Sequence, residues 1–304
     1  MNEHTDNVYL TTQEVADLLR VKRRKVYDLV SREQIPCSRV TGKLLFPRDE
    51  ILAMIEQQSR SGAAEVYSAD VEHNQLPPII LGSHDPLLEA ALKACGSSMP
   101  TLIEHSLAGL DRFEKGEGVA TGLHVYEPEA GKWNVSGVTE RFASRPVVLL
   151  TWAMRSRGLL VNPDMTDRIK GMTDLAGCRL AVRQKGSGSY SLLEYLLMSH
   201  CGLLVNDIEQ QSEAFSETDA AIQVLEGKAD VTLGLSAFAS RFGLEFVPVI
   251  EERFDLLIDR RAFFETQFQT LVEYTRTPAF QLLLAEFPGY RTDSIWQVQF
   301  NGAG

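Results

Sequence analysis

Residues 182–197, VRQKGSGSYSLLEYLL, pass from a short apolar strand through a turn of glycines and serines into a helical pattern. Backbone N–H groups at a helix start are unpaired, and the helix dipole adds partial positive charge there, so the turn suits an anion. Three interpretations remain: a nucleotide phosphate, a small free anion, or a capped helix start without a ligand. Ser191 replaces the third glycine of a G-x-G-x-x-G fingerprint and no G-K-[ST] pattern is present, which disfavours a nucleotide.

The bulk properties of the chain are those of a water-soluble protein. Its 304 residues are enough for two domains with a sizeable core. No apolar run reaches the length of a membrane span, and the polar start MNEHTDN does not resemble a signal peptide, so we expect a cytoplasmic protein with no membrane partner. The four cysteines form no C-x-x-C pair, so we predict neither a zinc knuckle nor a disulfide framework. We also expect no metal site and no cofactor.

Charge is unevenly distributed along the chain. The formal net charge is −11, yet residues 20–48 carry nine basic side chains against two acidic ones. A basic patch on an otherwise acidic chain is typical of a small domain that contacts phosphate while the remainder has another task. We predict a DNA-binding domain over residues 1–60, a connector over 61–77, where no hydrophobic period is sustained, and a ligand-sensing domain over 78–304.

Two short helices are predicted within LTTQEVADLLRVKRRKVYDLV, residues 10–30. Thr11 and Glu14 have the spacing of a capping box at the start of the first helix. The apolar positions recur at helical spacing, as Val15, Leu18 and Leu19 in the first helix and as Val26, Leu29 and Val30 in the second. The second helix is polar and basic on its other face, which predicts a helix-turn-helix whose second helix enters the major groove.

A small hairpin is predicted to follow, because IPCSRVTGKLLFP, residues 35–47, alternates and reverses at Thr41 and Gly42. A third helix is expected from Pro47 to Ile55. The stretch 8–58 resembles the excisionase-like and MerR-like winged helix-turn-helix family, and the alternative is a charged helical hairpin for protein contacts. The expected DNA-binding residues are Lys22, Arg23, Arg24, Lys25, Tyr27, Asp28, Ser31, Arg39 and Lys43.

Beyond the connector, strand-like and helical patterns alternate, which predicts α/β layers with parallel sheets. The predicted strands are 79–81, 101–104, 118–125, 147–152, 179–182, 230–233 and 246–249. Ligands of such sheets bind beyond the carboxyl ends of the strands. Polar residues follow several of these ends, namely Ser83, His84, Asp85, His105, Ser106, His124 and Arg183.

Several motifs, in order, resemble the cytoplasmic relatives of periplasmic molybdate-binding proteins. They are GSHDPLLEAAL, HSLAGLDRFEKGEGVATGLHVYEPEAGKWNV, RSRGLLVNP, VRQKGSGSYSLLEYLL, AIQVLEGKADVTLG and GLEFVPVIEERFDLLI, within residues 78–260. The resemblance implies a type II periplasmic-binding-protein fold, in which two α/β lobes are joined by crossover strands and the ligand lies in the cleft. Fused to a DNA-binding module, such a domain implies a one-component transcriptional regulator whose effector is molybdate or tungstate.

The chain departs from this family's pattern at three positions. Asp219 replaces a histidine, His105 stands where a glycine is usual, and Ser189 replaces the commoner threonine. A carboxylate at position 219 would repel an oxyanion if it faced the cleft, so a small organic acid or other metabolite remains an alternative ligand.

The hydroxyls of Ser83, Ser106, Ser187 and Ser189 form a neutral set of donors suited to a dehydrated oxyanion, although the same serines could simply cap helices. The expected ligand-binding residues are Ser83, His84, Asp85, Ser106, His124, Arg183, Ser187, Gly188 and Ser189. Three histidines at strand ends also suggest a zinc site. Their spacing in the sequence is not that of local zinc ligands, which disfavours this interpretation.

An enzyme is the other functional class, because Ser83, His84 and Asp85 are the residue types of a catalytic triad. Consecutive side chains diverge and no G-x-S-x-G elbow occurs, so we predict no enzyme, with a metal-dependent or hydrolytic enzyme as the remote alternative. The sequence predicts a ligand-responsive regulator that binds double-stranded DNA and a small anion. We expect a homodimer or higher homo-oligomer, because winged helix-turn-helix proteins usually read paired half-sites.

Overall fold

A computed structural model describes residues 9–18, 21–31, 35–40, 43–51, 76–208 and 210–303. The chain divides into two compact units, Met1–Gln75 and Leu76–Gly304. Nearly all of the predicted connector 61–77 lies outside the described residues.

The N-terminal unit is a small helical domain with a three-stranded antiparallel sheet of order β1-β3-β2. Its elements are β1 Tyr9–Leu10, α1 Thr12–Leu18, α2 Arg23–Ser31, β2 Ser38–Val40, β3 Lys43–Pro47 and α3, described over residues 48–51. The capping box is confirmed, because Thr11 N–H donates to Glu14 Oε2 at 2.7 Å and Glu14 N–H donates to Thr11 Oγ1 at 3.3 Å. The paired β2 and β3 confirm the predicted hairpin strands.

One predicted core position of this unit is wrong. Leu18 is 45% exposed, whereas Val15 and Ala16 of α1 are buried against Val26 and Phe46. Ala16 was not part of the apolar set, because a small side chain gives a weak periodic signal. Several predicted features fall outside the described residues: Leu19, the hairpin tip at Thr41 and Gly42, and the third helix beyond residue 51.

The C-terminal unit is built on one mixed sheet of ten strands, whose main path runs β11-β10-β12-β9-β13-β6-β4-β5. Its strands are β4 Ile80–Gly82, β5 Thr101–Ile103, β6 Ala120–Leu123, β7 Tyr126–Glu127, β8 Lys132–Trp133, β9 Val147–Val161, β10 Leu180–Arg183, β11 Gln210–Ala214, β12 Val231–Leu235, β13 Glu245–Asp259, β14 Tyr290–Arg291 and β15 Val298–Asn301. Strands β14 and β15 pair with β9, and β7 pairs with β8 apart from the large sheet.

Helices cover this sheet. The α-helices are α4 Pro86–Cys95, α5 Ser106–Glu114, α6 Val135–Phe142, α7 Gly188–Cys201, α8 Glu217–Leu225, α9 Ser236–Phe242, α10 Arg260–Phe263, α11 Thr266–Tyr274 and α12 Pro278–Ala285. Short 3-10 helices lie at Pro163–Met165, Met172–Leu175 and Val205–Asp207. No helix in the described parts of the chain is both long and apolar enough to cross a membrane.

Two lobes share this unit. The first lobe contains the parallel strands β4, β5 and β6, and the second contains the parallel strands β10, β11 and β12. The antiparallel strands β9 and β13 pair with each other along their length and belong to both lobes, because the end of β13 pairs with β6 and the end of β9 pairs with β12. Each lobe has its own apolar cluster, around Leu81 and Phe113 in the first and around Leu180 and Leu193 in the second, and a further cluster includes residues of both lobes, such as Ile80 and Ala181.

The lengths predicted for these two crossover strands are wrong. The sequence indicated strands over 147–152 and 246–249, whereas β9 and β13 each run for 15 residues. Charged residues near the middle of each strand broke the apolar pattern that identifies a buried strand. The predicted strand 118–125 is also shorter, at Ala120–Leu123.

Candidate functional site

A buried charge cluster lies where the crossover strands pass between the lobes. Arg155 and Arg157 lie two residues apart on β9, so their side chains share one face of the strand. Glu252 on β13 is the register partner of Arg155, and all three side chains are at most 1% exposed. Arg155 Nη2 donates to Glu252 Oε1, and Arg157 Nε lies 2.5 Å from Glu252 Oε2. One carboxylate therefore bridges two guanidinium groups.

Asp85 connects this cluster to the first lobe. Its Oδ2 accepts from Arg155 Nη1 and from the Tyr290 hydroxyl, each at 2.8 Å. Its Oδ1 accepts from Trp152 Nε1 at 2.9 Å and from the backbone N–H of Leu88 at 2.7 Å, which caps α4. Both oxygens of Asp85 are thus occupied by donors of the protein, so the structure gives this side chain a positioning task.

Arg157 connects the cluster to the second lobe. Its Nη2 donates to Glu217 Oε1 at 2.5 Å and its Nη1 donates to Ser189 Oγ at 3.2 Å. The Ser189 hydroxyl donates in turn to Glu217 Oε1 at 3.2 Å. Since a serine has a single hydroxyl hydrogen, Ser189 cannot also donate to a ligand while this bond holds.

The cluster carries no net positive charge by itself. Burial opposes ionisation of Glu252, but Arg155 and Arg157 hold its pKa well below the usual range. Burial likewise opposes ionisation of Glu217, and Arg157 again lowers its pKa. With Asp85, three carboxylates face two guanidinium groups, so the interior does not offer a simple excess of positive charge to an anion.

A serine pair lies on the first-lobe side. Ser83 Oγ and Ser106 Oγ are 2.8 Å apart, and both side chains are buried. Ser106 Oγ also accepts from the backbone N–H of His124 at 3.2 Å. One hydrogen bond between two hydroxyls uses only one of their hydrogens, so the pair can donate the other to a ligand.

The three histidines of the site have different partners. His124 Nδ1 lies 3.2 Å from Glu252 Oε2, and burial lowers the pKa of His124 despite that carboxylate, so the ring is neutral. His105 Nδ1 accepts from the backbone N–H of Ala108 at 3.2 Å and caps α5. His84 pairs with an exposed carboxylate of α4. No group of three or more His, Cys, Asp or Glu side chains among the described residues is arranged to hold a metal ion.

The glycine-serine turn faces the first lobe. Ser187 caps α7, because its Oγ accepts from the backbone N–H of Tyr190 at 3.1 Å. Gly186 has a φ of 87°, a conformation that L side chains rarely adopt. A Cβ at Gly188 would lie 2.8 Å from the backbone oxygen of His124, so a side chain is excluded there. The turn is therefore both a capped helix start and the point where the lobes approach each other closely.

The guanidinium group of Arg183, at the end of β10, has few partners that compensate its burial. Its Nη1 donates to the backbone oxygen of Ala214 at 3.1 Å, and its Nε is buried without a hydrogen-bond partner in the described parts of the chain. Burial lowers the pKa of Arg183, and the charge of Glu217 only partly offsets this effect. Such a group is a natural anchor for an anion.

Asp219 lies at the start of α8 and takes part in its cap. Its Oδ2 accepts from the backbone N–H of Phe215 at 3.0 Å, and its own backbone N–H donates to Ser216 Oγ at 2.9 Å. The acidic group of α8 that joins the charge cluster is Glu217, two residues earlier.

Sequence reasoning missed the centre of this site: Arg155, Arg157, Glu217, Glu252 and Tyr290. The available signal was R-S-R, two cations at the spacing of one strand face, with uninterrupted apolar residues on both sides. Charges inside such a run point to a buried ion pair rather than to a strand end.

The candidate DNA-binding surface of the N-terminal unit is α2 and the turn before it. Lys22, Arg23, Arg24, Lys25 and Tyr27 are exposed in the structure. The side chains of the other predicted DNA-binding residues lie outside the description, namely Asp28, Ser31, Arg39 and Lys43. An exposed basic helix is the arrangement that phosphate contact requires.

Two family models match the chain. Residues 9–59 match a helix-turn-helix domain, and residues 90–276 match the PBP superfamily domain. A relative described as uncharacterized protein YvgK of Bacillus subtilis (strain 168) is 26% identical over 303 residues, covering 95% of this chain and 96% of the relative.

Solved structures share the fold. An OxyR mutant of Corynebacterium glutamicum in its H2O2-bound form superposes with a TM-score of 0.50 at 13% identity, covering 91% of this chain and 89% of that chain. A putative phosphate ABC transporter substrate-binding protein with bound phosphate from Clostridium perfringens gives a TM-score of 0.51 at 12% identity, covering 69% of this chain and 97% of that chain.

Proposed function

The chain belongs to the PBP superfamily, and on that premise we propose that it is a one-component transcriptional regulator in which a ligand between the two lobes controls DNA binding. The observation that carries this proposal is the combination, in one chain, of a helix-turn-helix domain and a PBP domain. Both are binding modules, which favours a regulator over an enzyme. A DNA target also favours a cytoplasmic location, and the usual paired half-sites favour a homodimer.

The DNA-binding part of the proposal is supported by charge. Nine basic side chains lie within residues 20–48 of a chain whose formal net charge is −11, and those of α2 that are described are exposed. Phosphate contacts supply most of the affinity of such a surface and make it dependent on salt. Base contacts from the same helix would then supply sequence preference.

The ligand-binding part is supported by the way both lobes meet at the crossover strands. Arg155 reaches the first lobe through Asp85, and Arg157 reaches the second lobe through Glu217 and Ser189. A ligand that rearranges these contacts would change how the lobes are held. That change is the differential interaction that any ligand-driven switch requires.

Molybdate and tungstate are the candidates that the family resemblance suggests, and a small organic acid is the alternative. The candidate contacts on the first lobe are Ser83, His84, Ser106 and His124, with Asp85 as a positioning residue. Those on the second lobe are Arg183, Ser187, Gly188 and the backbone N–H of Ser189, whose hydroxyl is bonded to Glu217. A bound phosphate in a protein of the same fold is a reason to include phosphate in any screen.

The test of ligand binding is a thermal-shift screen of the full-length protein with molybdate, tungstate, sulfate, phosphate and small carboxylates. The best anion is then titrated by calorimetry into wild type and Ser106→Ala. Loss of a hydroxyl contact to a charged ligand is expected to weaken binding roughly 10-fold or more, because such a bond contributes about 1.5–3 kcal/mol. Unchanged affinity in Ser106→Ala and in Ser187→Ala would contradict the assigned cleft contacts.

The test of DNA binding is a salt titration of the full-length chain on duplex DNA by fluorescence anisotropy. Arg39→Ala or Lys43→Ala in the wing is expected to weaken binding to every sequence and to reduce the salt slope by about one unit per lost phosphate contact. Lys93→Ala, an exposed lysine of α4, is the matched control. Equal slopes in all the proteins would contradict the wing assignment.

A further inference from the structure

Among the buried polar atoms that have no hydrogen-bond partner in the described parts of the chain, two of opposite character lie on the second-lobe side of the charge cluster. Arg183 Nε is a donor and Glu217 Oε2 is an acceptor, and neither has a hydrogen-bond partner within the described residues. Buried polar atoms are nearly always paired, so each unpaired one calls for an explanation. A ligand that bonds to both would supply it.

The two side chains belong to adjoining segments, because Arg183 Nη1 donates to the backbone oxygen of Ala214, three residues before Glu217. Within the part of the chain that the structure describes, the ion pairs of Glu217 within 4.0 Å involve Arg157 and not Arg183. The carboxylate of Glu217 nevertheless raises the pKa of the Arg183 guanidinium, against the lowering caused by burial. Opposite charges on adjoining segments that form no ion pair with each other suit a small molecule that has an anionic group at one end and a donor at the other.

The first turn of α7 offers further donors to the anionic group of such a ligand. The backbone N–H groups of the buried residues Gly188 and Ser189 have no intrahelical partner, whereas that of Tyr190 donates to Ser187. The Ser189 hydroxyl, in contrast, is already used by Glu217. The anion would therefore be held by Arg183 and by backbone N–H groups rather than by the serine hydroxyl.

The acceptor end sets a condition on the ligand. Burial opposes ionisation of Glu217, but the neighbouring arginines keep its pKa below the usual range, so at neutral pH it is a carboxylate that only accepts hydrogen bonds. Molybdate, tungstate and sulfate are fully ionised at neutral pH and also only accept. Placed beside Glu217, they would meet an unpaired acceptor and a like charge.

We propose that Glu217 makes this cleft select a small anion that also carries a hydrogen-bond donor, with Arg183 holding the anionic group and Glu217 Oε2 accepting the donor. This inference rests on the proposed function as a ligand-responsive regulator and deepens it. Among the candidate ligands it favours a hydroxy- or amino-carboxylate over a metal oxyanion. Hydrogen phosphate, which has an O–H group, belongs with the favoured class.

The experiment is calorimetry on the full-length protein at pH 7 with matched probes. Acetate, sulfate and molybdate carry only acceptors, whereas glycolate, glycine and hydrogen phosphate pair an anionic group with a donor. We expect wild type to bind at least one donor-bearing probe about 10-fold or more tighter than its acceptor-only counterpart, which is the effect of one hydrogen bond to a charged group. Glycolate and glycine then distinguish an O–H donor from an N–H donor.

Two variants separate selectivity from general damage. Glu217→Gln keeps the oxygen that pairs with Arg157 and gains an amide donor, so it is expected to remove the preference and to improve acceptor-only probes. Arg183→Ala is expected to weaken every probe about 10-fold or more. Glu226→Gln, at the exposed end of α8, is the control that should leave all affinities unchanged.

The outcomes distinguish this inference from the proposed function. Wild type that binds sulfate or molybdate as tightly as the donor-bearing probes, or Glu217→Gln with an unaltered preference, overturns the selectivity and leaves a ligand-responsive regulator standing. Absence of binding by every probe also overturns the inference. A preserved preference together with DNA affinity that no ligand changes would overturn the proposed function and leave the selectivity intact.

Discussion

Glu252→Gln tests the role of the carboxylate that bridges the two buried guanidinium groups. The substitution keeps the size of the side chain and removes its charge. Glu252 contacts Arg155 Nη2 and Arg157 Nε, and lies within hydrogen-bond distance of His124 Nδ1. Each carboxylate oxygen of Glu252 therefore faces at least one donor, so either orientation of a glutamine amide places its NH2 group against an N–H group.

The expected cost follows from burial. All three charged side chains are at most 1% exposed, so water cannot replace the lost contact. Removing one partner of a buried ion pair costs about 3–5 kcal/mol of unfolding free energy. For a domain of this size, that loss lowers the melting temperature by roughly 6–20 °C.

Glu251→Gln is the matched control, because the neighbouring carboxylate forms an ion pair at the surface. Glu251 Oε2 lies 2.8 Å from Arg291 Nη2, and these two side chains are 49% and 59% exposed. An exposed pair contributes only about 0–1 kcal/mol. The two substitutions are thus identical in chemistry, and they differ in the burial of the carboxylate and in the number of its partners.

Urea unfolding followed by tryptophan fluorescence is a suitable assay. The three tryptophans, Trp133, Trp152 and Trp296, all lie in the C-terminal unit, so the signal does not depend on the N-terminal unit. The expected result is a large loss of unfolding free energy for Glu252→Gln and a small one for Glu251→Gln. Equal effects of the two substitutions would refute the buried bridge.

Acid should destabilise the C-terminal unit through the same cluster. The pKa of Glu252 is lowered in the folded state, so its contribution to the free energy of unfolding is complete above a pH of about 4.5, the pKa of an unfolded glutamate. This contribution is lost as the pH falls through the lowered value. The urea midpoint should therefore fall less steeply with acid in Glu252→Gln than in wild type. Gly188→Ala should lower the free energy of unfolding by about 1–3 kcal/mol, because the added Cβ would meet a backbone oxygen of the first lobe. Gly137→Ala, at a position of α6 where a Cβ meets no atom within 4 Å, should raise it by about 0.4–1 kcal/mol. Comparable melting temperatures of the two variants would contradict this. Arg24→Ala should change which duplexes are preferred in a binding selection, and an unaltered preference would exclude this side chain from base contact.

Local chemistry made much of the fold predictable. The Thr11 and Glu14 capping box, the hairpin strands and the α7 start at Ser187 all depend on neighbours within a few residues, and the structure has each of them. Recurring spacing also identified the alternation of strands and helices. These features need no knowledge of distant contacts.

The site depended on long-range pairing, which sequence periodicity does not contain. Arg155 and Glu252 are 97 residues apart and become neighbours only through the register of β9 and β13. The serines of the turn were identifiable as helix caps, but the commitment of the Ser189 hydroxyl to Glu217 was not. The family pattern indicated Asp219 as the carboxylate that could face the ligand, whereas the carboxylate in the charge cluster is Glu217.

The central claim is that a ligand in the PBP domain changes DNA binding by the helix-turn-helix domain. The most direct measurement is the affinity of the full-length protein for a duplex selected from a random pool, with and without a saturating amount of the tightest-binding anion of the calorimetric panel. A coupling of about 1–3 kcal/mol predicts a change in affinity of roughly 5- to 150-fold. The same affinity with and without that anion would contradict the account.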